Sequence, residues 1–171
     1  MPVGDTYLLH DGERVTVRVA EPGLLEVDVE LSPLPHKPPA HSHPRQDERF
    51  EIREGELSVQ VDGRTHVLRA GDALDVPAGS PHKMWNSGDG RCRASWQVRP
   101  ALRTEGFFRA VHEAREAGRG GEHGMLTPLG AAPILREYRD EFALPLPAPV
   151  QTVALAALSA ASRVRYGVAP A

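Results

Sequence analysis

His41, His43, Glu48 and His82 are the residues whose types and spacing can do chemistry. They fall in two segments, His41-Ser42-His43 leading to Glu48 and a run that carries Gly71, Pro77, Gly79, His82 and Asn86. Three imidazoles and a carboxylate without a thiolate form a donor set for a first-row divalent transition metal. On an extended segment, side chains two apart share a face, so His41 and His43 converge while Ser42 points away. Pro44 turns the chain, and from Glu48 the same parity carries Phe50 and Ile52 inward. Met84 and Asn86 share the parity of His82, and Trp85 is out of phase with it. Phe50, Ile52, Met84 and Trp96 are therefore expected to form a substrate pocket beside the metal.

Two distant segments share one ion only where a closed sheet brings them together, and the chain has the texture of one. Val15, Val17 and Val19 alternate with polar residues, as do Leu25, Val27, Val29 and Leu31, and then Leu57, Val59 and Val61. This is the period of half-buried strands. Turn signals at Asp11-Gly12, Pro22-Gly23, Glu54-Gly55, Asp62-Gly63 and Pro77 to Gly79 keep each strand short, which implies an antiparallel sandwich or barrel.

After Pro100 the apolar period moves toward that of a helix. The first helix is expected to take Thr104 as N-cap, to place Phe107, Phe108, Val111 and Ala114 on one side, and to end at Gly118. A second starts at Thr127-Pro128 and carries Leu129, Ala132, Leu135, Tyr138 and Phe142, with Pro133 kinking it or delaying its start. A third runs from about Val150 to Tyr166, closed by Gly167. The Gly-rich stretch from Ala117 to Gly124 reads as a mobile loop, and Leu144 to Pro149 as a connector. The expected organisation is a barrel over residues 1–100 and a helical extension over residues 101–171, packed on the barrel or on a partner subunit.

The 171 residues carry 20 basic and 23 acidic side chains, a net charge of -3, with no block of one sign. This excludes a nucleic-acid or anionic-membrane footprint and points to a small-molecule partner. The lone Cys92 cannot form an internal disulfide, and Met1 to His10 lacks the pattern of a secretory signal, so a reduced cytoplasmic setting is expected. The apolar stretch from Val150 to Ala161 is interrupted by Gln151, Thr152 and Ser159 and is too short to span a bilayer. Strand edges left open by a small barrel favour a homodimer.

The two motifs resemble those of the cupins. The first appears as His41, His43, Glu48 and Gly55, with Pro35 where the family places a leading glycine; the second appears complete as Gly71, Pro77, Gly79, His82 and Asn86. The likeness extends from Leu25 to Pro100 and is specific for fold and metal, not for reaction. It implies a mainly β, antiparallel jelly-roll (cupin) β-barrel of the single-domain kind, followed by a C-terminal helical tail. It also implies one divalent ion per chain, Fe, Mn, Ni, Co or Zn, held by His41, His43, Glu48 and His82, with Asn86 shaping the turn after the last ligand.

Four protein ligands would close a tetrahedral zinc site, whereas a six-coordinate ion keeps two places for an organic chelator and dioxygen. The expected activity is that of a dioxygenase or other oxygenase acting on a small aromatic or enol-type substrate, with Glu48 taking the substrate proton. An oxygen-independent isomerase or polyketide cyclase is the alternative, and a non-catalytic binding or sensor protein is the third reading. No helix-turn-helix pattern marks a transcriptional regulator. His36, His66, His112 and His123 are expected to be surface residues, and Cys92 a small buried side chain. Arg45 and Gln46 are expected in a solvated turn, with substrate contact from the rim as the alternative, and Glu113, Arg115, Glu116 and Arg119 on an exposed helix face.

Overall fold

Alternating apolar residues become strands that bury every second side chain. The computed structural model describes residues 3–35 and 37–167. Its strands are β1 (Thr6–His10), β2 (Glu13–Glu21), β3 (Leu24–Leu31), β4 (Asp47–Glu54), β5 (Glu56–Val61), β6 (Arg64–Arg69), β7 (Ala73–Val76), β8 (His82–Asn86) and β9 (Cys92–Arg99). All pairings between them are antiparallel, in one sheet of order β1-β2-β3-β9-β4-β7 and a second of order β6-β5-β8. Val15, Val17, Val27, Val29, Leu57 and Val59 are fully buried on the inner faces, the jelly-roll arrangement in which two sheets share one core. Gly55, between β4 and β5, has φ +78°, and a Cβ there would sit 2.5 Å from the Arg91 carbonyl oxygen, so only glycine fits.

The helices are α1 (Thr104–Ala114), α2 (Pro128–Glu137) and α3 (Ala148–Tyr166), the last closed by Gly167 in the left-handed conformation. Among the described residues no helix is long and apolar enough to cross a membrane. Helix α1 lies on β1 and the barrel, sending Phe108 against Trp96 with ring centroids 5.2 Å apart. Helix α1 thus covers its own barrel. Helices α2 and α3 pack on each other, and Ile134 joins Val111 and Ala114 in a second apolar cluster.

Several local expectations change. Thr104 is the first helical residue and Arg103 the N-cap, because the Thr104 hydroxyl accepts a hydrogen bond from Gln46 Nε2 at 2.8 Å. Gln46 also donates to the Pro100 and Ala101 carbonyls and is 1% exposed, so it clamps the exit from β9 and is no solvated turn. Thr127 caps α2 through the Gly130 N–H as its Thr-Pro start implies, and the helix continues through Pro133. It stops at Glu137, leaving Tyr138 as its C-cap and Phe142 in the turn beyond. The Gly-rich stretch forms a π-helical turn over Arg115–Arg119 and a short 3-10 turn over Glu122–Gly124. Arg115 leaves the exposed face to donate to the Gly124 carbonyl and to Asp11.

Two outcomes follow from this packing. Phe108→Ala should cost about 3–5 kcal/mol of unfolding free energy in a urea titration, as for a fully enclosed aromatic. Cys92, the first residue of β9 and paired with Leu31 of β3, is wholly buried, and burial pushes its thiol up to about 11. The unfolded chain then loses this proton near 9 while the folded chain keeps it, so the Cys92 contribution to stability falls between about pH 9 and 11. The thermal midpoint of Cys92→Ala should decline less steeply across that range than that of the parent.

Candidate metal centre

The site begins with a backbone pairing. His41 N–H donates to the His82 carbonyl at 2.9 Å, and His82 N–H returns the bond to the His41 carbonyl at 2.8 Å. This bridge ties the chain before β4 to the first residue of β8 and brings the two imidazole centroids to 4.5 Å. Gly79 N–H donates to the His43 carbonyl at 2.9 Å, a second tie between the two motifs. His41 and His43 then face one point, as their spacing requires, and Ser42 faces the opposite way to pair its backbone with Ala143. Ligating atoms of His41, His43 and His82 lie within 4.8 Å of one another.

Glu48, 2% exposed on the inner face of β4, completes the cluster. Its Oε2 is 2.8 Å from His82 Nε2 and its Oε1 3.2 Å from His43 Nε2, while Trp96 Nε1–H donates to Oε1 at 2.8 Å. The outer ring nitrogens face carbonyls: His43 Nδ1 is 2.5 Å from the Glu141 oxygen and His82 Nδ1 is 2.9 Å from the Ser80 oxygen. A carbonyl only accepts, so each Nδ1 carries a proton; His43 Nε2 then turns a lone pair to the centre, and His82 Nε2 does so once the proton it shares with Glu48 is displaced. His43 Nε2 is buried without a hydrogen-bond partner, and Glu48 Oε2 is buried with His82 Nε2 as its one close polar neighbour among the described residues. Inward lone pairs, an acidic oxygen and no thiol fit a divalent transition metal.

Electrostatics fit the same reading. Burial, then the positive character of His43 and His82, hold the His41 imidazole well below its usual range. Burial pushes the Glu48 carboxyl up, but His43 and the hydrogen bond and charge of His82 outweigh it and hold the group at about 2. Burial likewise opposes a charge on His82, and the Glu48 carboxylate overcomes it and raises that imidazole. Without metal the carboxylate is balanced by a proton on an imidazole, the proton that a metal cation displaces on binding.

The turn after α2 supplies parts of the site that carry no motif. Phe142 stacks on His41 at 4.5 Å and 13°, and Glu141 contributes the carbonyl that orients His43. That turn is held by the Glu141 carboxylate, which accepts from the Arg103 backbone N–H at 3.1 Å, and by Arg103 donating to the Glu137 carbonyl. A neutral tautomer fixed by a carbonyl is a long-range property, so only the phenylalanine itself hinted at this contact in the sequence. Beside the donors lies a cavity of about 400 Å³. Glu48, Phe50, Met84 and Trp96 line it, whereas Ile52 is buried in the core away from it. Its other wall comes from the helices, through Phe107, Phe108, Val111, Ile134, Leu155 and Leu158.

The remaining candidates sort by burial. Asn86 donates to the Leu31 and Gly90 carbonyls and accepts from Gly88, so it shapes the turn after β8. Trp85 faces away from the donors, under the Lys37 ammonium at 4.0 Å. His66 is exposed, and Arg45 is exposed near Asp140. His112, expected in solvent, is half-buried because its Nδ1 accepts from the Leu8 N–H at 3.2 Å. His123 is half-buried too, in a left-handed turn whose carbonyl accepts from Asp11. His36 lies outside the described residues.

Fold and site together define a small jelly-roll protein with a histidine cluster inside the barrel. Residues 27–98 match the family model described as Cupin domain, so the barrel of this chain is a cupin domain. The structure of KdgF from a Halomonas species aligns at a TM-score of 0.54 with 20% identity, over 59% of this chain and 90% of that one, a likeness of fold. A polyketide synthase protein, CurC, of Streptomyces cyaneus is 37% identical over 60 residues, which are 35% of this chain and 39% of CurC. An oxidoreductase of Arthrobotrys oligospora is 35% identical over 52 residues, 30% of this chain and 21% of its own. The matches thus span well under half of these curated relatives.

Purified protein dialysed against each divalent metal should hold about one ion per chain by elemental analysis. The double variant His41→Ala, His43→Ala should hold none above background, and full occupancy there would remove the assignment.

Proposed function

We propose that the chain is a metal-dependent enzyme that uses dioxygen to oxidise a small, mainly apolar substrate bearing an enol, catechol or hydroxy-ketone. The observation that carries this reading is the convergence of four nitrogen and oxygen donors on a cavity whose remaining wall is almost entirely carbon. A divalent ion held by His41, His43, Glu48 and His82 would supply Lewis acidity and, if redox-active, electron transfer to dioxygen. Phe50, Met84 and Trp96 from the barrel and Phe107 and Phe108 from α1 would enclose an aromatic or extended enol and exclude water. Glu48, whose buried Oε2 faces the cluster 2.8 Å from His82 Nε2, is the carboxylate placed to take the substrate hydroxyl proton. Trp96 holds its other oxygen and so fixes the direction of that transfer.

The cavity also narrows the substrate class. Among its described lining residues there is no Lys, Arg, Ser, Thr, Asn or Gln, so a sugar or a phosphate would be buried without partners at a cost of several kcal/mol. Besides the four donors, the titratable groups on the described wall are His10 and Glu13. Moving protons between substrate carbons, as isomerisation requires, would have few groups to serve it, whereas oxidation requires one deprotonation. The name of CurC, a polyketide synthase protein, favours a second reading, oxygen-independent cyclisation of a polyketide-like enol in the same cavity. The proposal includes a cytoplasmic homodimer joined through exposed strand edges such as β6.

Protein loaded without air with Fe(II), Mn(II) or Ni(II) should consume oxygen when given a flavonol, a catechol or a diketone. Glu48→Gln should lower the turnover number by roughly a hundredfold or more. An oxygen electrode and product analysis read both. Equal turnover under argon would transfer the assignment to cyclisation, and no uptake across the panel would remove the oxygenase reading.

A further inference from the structure

The cavity has a second polar station that neither motif contains. His10 ends β1 and Glu13 begins β2, across the Asp11-Gly12 turn, and both line the cavity wall. His10 Nδ1 accepts the Gly12 backbone N–H at 3.1 Å, so its proton sits on Nε2, which lies 2.9 Å from Glu13 Oε2. The two side chains are only 9% and 11% exposed. His10 Nδ1 is thereby satisfied and its Nε2 faces Glu13 Oε2, and among the described residues no hydrogen bond reaches Glu13 Oε1. Acceptor-only oxygen on an otherwise apolar wall calls for a donor from the ligand.

His10 reaches this wall through a defect in the strand. The register of β1 with β2 runs Leu8 to Arg14 and then His10 to Glu13, so Leu9 is an extra, bulged residue. In plain alternation Tyr7 and Leu9 would face inward and His10 outward; the bulge lets both Leu9 and His10 line the cavity. A turn staple alone would not need its imidazole and carboxylate on a substrate wall.

Sheet geometry gives the separation from the metal donors. Glu13 on β2 and Glu48 on β4 are three strand steps apart in the order β2-β3-β9-β4. They also sit at different levels: Glu13 connects through Leu31 to Cys92 of β9, whereas Glu48 pairs with Val98 of the same strand. At ordinary strand rise the six residues between those levels of β9 alone put the two stations on the order of 20 Å apart, well beyond one aromatic ring.

Resting on the reading of the cavity as a substrate pocket, we propose that Glu13 recognises a hydroxyl at the substrate end remote from the metal donors. His10 is the positioning residue that aims it. The substrate is then an elongated apolar molecule with chelating oxygens at one end and a hydrogen-bond donor at the other.

The test uses catechols with para-alkyl chains of increasing length, each paired with its analogue ending in a hydroxyl. Binding is read by quenching of tryptophan fluorescence in metal-loaded protein without air. At short lengths the terminal hydroxyl should weaken binding, since it is buried unpaired. At the length that reaches Glu13 the preference should reverse to roughly tenfold in favour of the hydroxyl, the size of a hydrogen bond to a charged acceptor. Glu13→Met should erase the reversal while the methyl-ended partner binds as before, and His10→Ala should reduce it in the same selective way. A terminal hydroxyl that weakens binding at every length in the parent protein overturns the proposal whatever the variants do. So does an equal loss for both members of each pair in a folded Glu13→Met. If no catechol of any length binds the parent protein, the substrate-pocket reading falls and takes this inference with it.

Discussion

Two backbone hydrogen bonds between His41 and His82 hold the site together, and most of the chemistry depends on them. Each peptide group is both donor and acceptor, so the pairing fixes the relative height of two segments that the chain separates by four strands. The side chains then follow from strand parity: His41 and His43 inward, Ser42 outward, and Glu48 the first of the inward set of β4. A single-residue slip would exchange inward and outward faces, as in any half-buried strand. Gly55 and the Gly79 amide contact with His43 keep that register from drifting.

A chain of aromatic contacts carries the order outward from this pairing. Phe50 stacks with Trp96, Trp96 meets Phe108, Phe108 neighbours Phe107, and Phe107 stacks with Phe142 over His41. Trp96 also bonds Glu48, so one residue serves the core, the cavity wall and the metal-site carboxylate. The helices are therefore part of the site. They replace solvent over the barrel with carbon, and the resulting low polarity is what makes the Glu48 and imidazole charges so strongly interdependent.

Gln46 and Glu141 show how the tail is seated without apolar contact. Gln46 sits two residues before Glu48 and hydrogen-bonds the start of the helical extension; Glu141 grips Arg103 with its carboxylate and orients His43 with its carbonyl. Both are polar residues that a burial rule places in water. They are inside because the other partner of each bond arrives from far along the chain.

Much of this was legible beforehand, and the division has a physical basis. Alternation and turn residues determined the strands of the barrel, since strand facing has a period of two and each turn is a local event. The spacing of His41, His43, Glu48 and His82 indicated which side chains would share a face, and the cupin family followed from the same motifs. Tertiary structure alone decided that Phe142 stacks on His41, that Ile52 lies beyond the cavity, that His112 and Gln46 are enclosed, and that a bulge at Leu9 turns His10 toward Glu13. Those outcomes depend on which helix face meets which sheet and on one extra residue in a register, and neither leaves a periodic trace in the neighbouring residues.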